Sequence, residues 1–185
     1  MLEKKIVEHC SPTLAGLKCG SLFRHDTVED MEAVAESVRA EIGRKGIEIA
    51  VLGKPRGGYL VYVHRPAMLE ELISDGDTND FLRRLGYESM TVDGIIDELR
   101  GRVSSRGALP HEIGVFLGYP LGDVKGFMRN RGKNSVRVGC WKVYGDEDAA
   151  VRSFEKYRKC RRVFKKRYAE GASIRRLAVR CHPTA

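Results

Sequence analysis

Residues 109–145 read LPHEIGVFLGYPLGDVKGFMRNRGKNSVRVGCWKVYG. Apolar runs alternate here with glycine turns, and the stretch carries the chain's single tryptophan, Trp141. Ile113–Leu117 is almost wholly apolar, which predicts an interior strand. Gly118-Tyr119-Pro120 predicts a turn. Gly122-Asp123 opens a predicted helix (DVKGFMRN) that Gly132 helps to end. Val136–Tyr144 predicts a second strand, with Val136, Val138 and Cys140 on one alternation and Arg137, Trp141 and Val143 on the other.

Working outward, Gly145-Asp146 turns into a long helix over 146–171, with Asp146 as N-cap. Val151, Phe154, Tyr157, Cys160, Phe164 and Tyr168 form its inward stripe. Acidic residues open it and basic residues crowd its end, as the helix dipole favours. Upstream, Ile47–Leu52 and Tyr59–His64 are β-type runs joined by the glycine-rich tip Gly53–Gly58, which predicts an antiparallel hairpin. Pro66–Ile73, Asp80–Leu85 and Thr91–Val103 are predicted helices, separated by a turn at 74–77 and followed by a loop at 104–107. Asp26 or Thr27 opens a helix that presents Val28, Met31, Val34, Ala35, Val38 and Ile42 inward and ends at Gly43 or Gly46. Glu3–Cys10 is a short helix broken by Ser11-Pro12-Thr13, and the fifth strand of the count falls near Leu22. These elements add up to an α+β fold: a single domain at 1–185, with a mixed or antiparallel sheet of about four to five strands and helices packed on it.

The chain has 185 residues, is 42% hydrophobic and has a formal charge of +8. That is enough to bury a core. Between Val151 and Ala185, twelve Lys and Arg residues face only Glu155 and Glu170. This segment therefore carries +10 and leaves residues 1–150 at −2. The basicity belongs to a C-terminal helical arm at 146–180. No apolar run is long enough for a membrane span, which predicts no membrane partner. No apolar segment follows Lys4 and Lys5, which argues against a signal peptide and predicts a cytoplasmic protein.

Five cysteines (Cys10, Cys19, Cys140, Cys160 and Cys181) form no C-x-x-C pair, so free thiols are expected rather than a disulfide framework or zinc ribbon. No metal site is predicted. His111-Glu112 is not H-E-x-x-H, because Val115 stands where the second histidine would be. The tip at 53–58 lies between two strands and lacks the P-loop order. Asp75-Gly76-Asp77 lacks the EF-hand pattern, and G-x-S-x-G is missing. The tail EGASIRRLAVR leaves no room for a recognition helix before Pro183.

The polar residues that cluster at the turns of 109–145 predict a site. His111, Glu112 and Tyr119 are the candidate acid–base residues. Lys125, Trp141, Lys142 and Tyr144 are the candidate ligand-binding residues, with lysine as a point charge for phosphate or carboxylate beside an aromatic wall. The first functional expectation is thus a cytoplasmic binding protein or enzyme for an anionic small molecule. The second is nucleic-acid or acidic-partner binding through Arg158, Arg161, Arg162, Lys165 and Lys166. The third is a haem, iron or redox accessory protein using Cys10, Cys140 or Cys160. The sequence names no cofactor, reaction or oligomeric state.

The runs PHEIGVFLGYPLGDVKGFM and GCWKVYGD, the spacing F-x-K-Y-x-K-C at 154–160, HCSPTLAGLKCGSLF at 9–23 and Leu85-Gly86-Tyr87 together resemble a family from clostridia and related anaerobic bacteria. That family is described as a domain of unknown function. The resemblance spans nearly the whole chain. It implies no particular activity, beyond an association with organisms rich in flavodoxin and iron-handling systems.

Overall fold

The structure, a computed structural model, describes residues 2–180; Cys181 and Pro183 lie outside them. In chain order its elements are α1 (Leu2–Leu14), β1 (Gly20–His25), α2 (Met31–Ile42), β2 (Glu48–Gly53), β3 (Tyr59–His64), α3 (Pro66–Ser74), α4 (Gly76–Arg84), α5 (Val92–Arg106), α6 (Ile113–Phe116), α7 (Leu121–Arg129), β4 (Arg137–Val138), β5 (Lys142–Val143), α8 (Glu147–Ala169) and α9 (Ile174–Leu177).

The hairpin β2–β3 forms as the sequence predicts. β1 adds on the other side of β3, giving an antiparallel sheet of order β1-β3-β2. Both faces of this sheet are covered. Phe23, Ile49, Val51, Val61 and Val63 pack under α1, α2 and α9. Ala50, Leu52, Leu60 and Tyr62 pack under α3, α5 and the segment around α6 and α7. Burial on both faces explains why β3 (YLVYVH) is apolar along its length instead of alternating. Each such Val or Leu contributes about 1.5–3 kcal/mol of burial.

The mixed helix-and-strand class is therefore as expected, and its sheets are antiparallel. The main sheet has three strands rather than four or five, because neither predicted strand of 109–145 joins it. Ile113–Phe116 is one turn of helix. A five-residue apolar run is equally suited to a buried helical turn, and periodicity alone cannot separate the two. Here Ile113 N–H bonds the Pro110 carbonyl at 3.2 Å, Leu117 N–H bonds Ile113 at 3.0 Å, and Gly118 at φ +68° closes the turn. Val136–Tyr144 shrinks to the two-residue strands β4 and β5, which pair antiparallel around a Gly139-Cys140 turn. Its expected alternation holds only in part: Trp141 and Val143 are buried and Val136, Val138 and Cys140 are exposed, but Arg137, expected on the side of Trp141, is exposed and pairs with Glu147 of α8.

Four boundaries also move. α1 runs through Pro12 to Leu14 instead of breaking at Ser11. An interior proline costs about 3 kcal/mol, and this turn bears it because Ser11, Pro12, Thr13 and Leu14 are all buried, with Thr13 and Ser21 hydroxyls bonded at 2.8 Å. α2 begins after Asp30, whose carboxylate accepts from Glu32 and Ala33 N–H. Thr27 instead accepts from Glu29 N–H in its own turn, and Val28 is fully exposed rather than inward. α4 starts at Gly76 because Asp75 caps it through Thr78 N–H and hydroxyl, so Asp77 is helical rather than in a turn. α5 continues to Arg106, past the expected loop start, and Gly107 at φ +60° stops it. The other helices stand close to expectation, and α8 buries the predicted stripe through Phe154 and Cys160 with Asp146 bonded to Ala149 N–H.

Candidate functional site

The centre of 109–145 is organised by Asp123, a carboxylate in the first turn of α7 that is 4% exposed. Its Oδ2 accepts from Trp141 Nε1 at 2.7 Å. Its Oδ1 accepts from the backbone N–H groups of Tyr144 at 2.7 Å and Gly145 at 2.8 Å. One carboxylate thus fastens the β4–β5 hairpin onto α7. Charge-assisted bonds of this kind are the stronger class. The N–H donors at the Gly145 turn, which could have served an anion, are occupied by it. Sequence reading took Asp123 only as the start of a helix, and no local pattern marks an aspartate that reaches eighteen residues down the chain.

Trp141, so anchored, packs edge-on to Phe154 of α8 at 4.5 Å between ring centroids and stacks on Tyr119 at 5.0 Å. Gly114 lets the Tyr119 ring lie close to α6. The Tyr119 and Trp141 rings form one wall of a cleft of about 330 Å³. Leu109, Pro110, Ile113, Val124, Phe127 and Val138 make it mainly apolar, and His111, Asp123 and Lys142 supply the polar groups. His111 is exposed at the rim, with its ring edge-on to Phe127 at 5.3 Å. Lys142 Nζ donates to the Gly132 carbonyl at 2.7 Å. An ammonium has three donors, so two remain.

Four of the seven residues expected to form the site therefore converge: His111, Tyr119, Trp141 and Lys142. The other three do not. Glu112 turns inward, 3% exposed, and accepts from Tyr87 hydroxyl and Arg102 Nη1, each at 3.3 Å. Lys125 lies over the Phe81 ring at 5.3 Å, on the side facing α4. Tyr144 packs against Gly126, and its hydroxyl is buried without a partner. His111 and Glu112 lie in the turn before α6, where Glu112 is drawn inward to Tyr87 and Arg102 while His111 stays at the rim. The Tyr119 phenol is pushed up to about 12 by burial and donates to the Cys140 carbonyl at 3.2 Å. At neutral pH it is a hydrogen-bond donor and aromatic wall rather than a base.

The basic arm divides between two surroundings. Arg158 and Arg161 face a second hollow beside α1, whereas Arg162, Lys165 and Lys166 point to solvent. Cys10 and Cys160 are buried, Cys140 is exposed, and burial raises the Cys10 and Cys160 thiols. Among the described residues no three His, Cys, Asp or Glu side chains are grouped as metal ligands would be. No described helix is long and apolar enough to cross a membrane.

A family described as protein of unknown function (DUF3793) matches residues 6–178. The chain belongs to the DUF3793 family. The match runs from within α1 past the end of α9, so it takes in every residue of the cleft and all the motifs that carry the resemblance noted above. No curated protein and no solved structure matches the chain. For this DUF3793 chain, the site's geometry therefore carries the functional reading.

Proposed function

We propose that the chain binds a small molecule with a flat apolar body and an anionic end in the cleft walled by Tyr119 and Trp141. The observation that supports this is the convergence of His111, Tyr119, Trp141 and Lys142 on one cleft of about 330 Å³. Its proportions match the general form of ligand sites, mainly apolar with a few placed polar groups. The stacked rings offer a face to a planar body. Lys142 holds a positive charge at the edge of that face with two donors to spare, and His111 adds ring nitrogens at the rim.

Phenylacetate and its neutral counterpart phenylacetamide test this directly. Trp141 is the single tryptophan, so its emission reports the cleft without interference from elsewhere. Phenylacetate is expected to quench or shift Trp141 emission and raise the melting temperature more than phenylacetamide does. Lys142→Met is expected to remove the difference between the two, and His111→Ala to weaken both responses while leaving the fold intact. Equal responses to acid and amide in the unaltered protein, or no response to either, would sink the reading.

A further inference from the structure

Tyr119 has two faces. One is stacked on Trp141; over the ring stands the ammonium of Lys18, 5.0 Å from the centroid. Lys18 belongs to the connection between α1 and β1 and opens onto a second hollow of about 410 Å³, bounded by α1, the Gly139-Cys140 turn and α8. Its charged groups are all basic: Lys18, Arg158 and Arg161, with His9 at the rim. No Asp or Glu is among the described residues lining it. Arg161 Nε is buried and has no hydrogen-bond partner. Burial pulls the Lys18 pKa down, and the Arg161 charge pulls it further.

Such an arrangement is costly as it stands. A buried guanidinium N–H without an acceptor forfeits its hydration, and two cations sharing a hollow repel each other. Both costs vanish if an oxyanion sits between them. Guanidinium presents N–H groups matched to a tetrahedral oxyanion, and lysine adds a point charge. The hollow is larger than one phosphate ion, which leaves room for an ester group.

We infer that the hollow between α1 and α8 is a phosphate-class oxyanion site formed by Lys18, Arg158 and Arg161, distinct from the cleft in front of Trp141. It goes beyond the cleft reading and does not depend on it. It also gives two of the arm's arginines a role that is not a general polyanion surface.

Cys140 supplies the readout, because it lines the hollow and is exposed, whereas Cys10, Cys19 and Cys160 are buried. The full chain is treated with iodoacetamide, a neutral reagent, at constant ionic strength, and the Cys140 peptide is quantified by mass. Inorganic phosphate and phenyl phosphate are the two probes, separating a free-ion site from a phosphomonoester site. With a probe at ~10 times its dissociation constant, Cys140 alkylation is expected to slow about tenfold. Protection by both probes, or by the ester alone, supports the site and names its source. Arg161→Gln and Lys18→Gln should abolish protection. Arg158→Gln, at an exposed position, should weaken it even if the variants at the half-buried Lys18 and Arg161 fail to fold. Lys142→Met should keep it, whatever becomes of phenylacetate binding. No protection by either probe in the unaltered protein, or full protection in Arg158→Gln, overturns the inference.

Discussion

His64 ends β3 and is 3% exposed, with its ring stacked on Tyr62 at 4.9 Å. Its Nδ1 is buried without a partner. Burial first, and then the charges of Arg39 and Arg100, lower its pKa from 6.5 to about 4. The unfolded chain therefore takes up this proton before the folded one does. Stability is full above about pH 6.5 and is lost as pH falls from 6.5 toward 4, by up to roughly 3 kcal/mol. Denaturant midpoints at pH 7 and pH 4.5 should show that loss, and His64→Leu should remove most of it. A smaller slope of the same sign should persist, because burial also lowers His25. An identical pH slope in His64→Leu would refute the assignment. The same scale shows why the site was only partly legible. His111 and Glu112 look alike as candidates in sequence, yet one reaches the rim and the other is buried against Arg102. Which side of a turn a polar residue faces is decided by what packs beneath it.

At the scale of elements, α7 and the β4–β5 hairpin hold the cleft in shape through close contact rather than a sheet ladder. Gly126 is where they meet: a Cβ there would lie 2.5 Å from Tyr144 Cβ. Gly126→Ala would gain up to ~1 kcal/mol of helix propensity but must separate the two elements, costing about 1–3 kcal/mol. The expected result is net destabilisation with a red-shifted Trp141 emission. Gly122→Ala, in the same helix with nothing near its Cβ, should be neutral or slightly stabilising. Equal stability of the two variants would contradict the close packing. The long periodic elements, α2, α5 and α8, were readable because many residues report one period. The runs 113–117 and 136–144 were misread because each is too short for periodicity to separate a strand from a buried turn.

At the scale of the whole molecule, Arg65 links segments far apart in the chain. It is 1% exposed and follows β3 directly. Its Nε donates to Thr13 carbonyl at 2.6 Å, and its Nη2 donates to Leu14 at 2.8 Å and Val179 at 2.7 Å. Its Nη1 reaches Lys45 at 3.3 Å. Val179 N–H in turn bonds the Leu14 carbonyl at 2.9 Å. One guanidinium thus ties the end of α1 and the turn after α2 to the chain beyond α9. Arg65→Met should cost about 3–5 kcal/mol, since it leaves several buried carbonyls unsatisfied. It should also speed hydrogen exchange at Val179 below the denaturation midpoint. Unchanged exchange at Val179 together with unchanged stability would show that the linkage is idle.

The sequence by itself determined the helix-and-strand class, the β2–β3 hairpin, the amphipathic α2, α5 and α8, the localisation of positive charge in the C-terminal arm, and four residues of the cleft. Those features rest on local physics: side-chain period, glycine turns and helix caps act within a few residues. Only the tertiary structure decided that the main sheet has three strands, that helices cover both its faces, that Asp123 anchors Trp141, and that Lys18 and Arg161 line one hollow. These depend on contacts between segments distant in sequence, where burial and hydrogen-bond satisfaction override local preference.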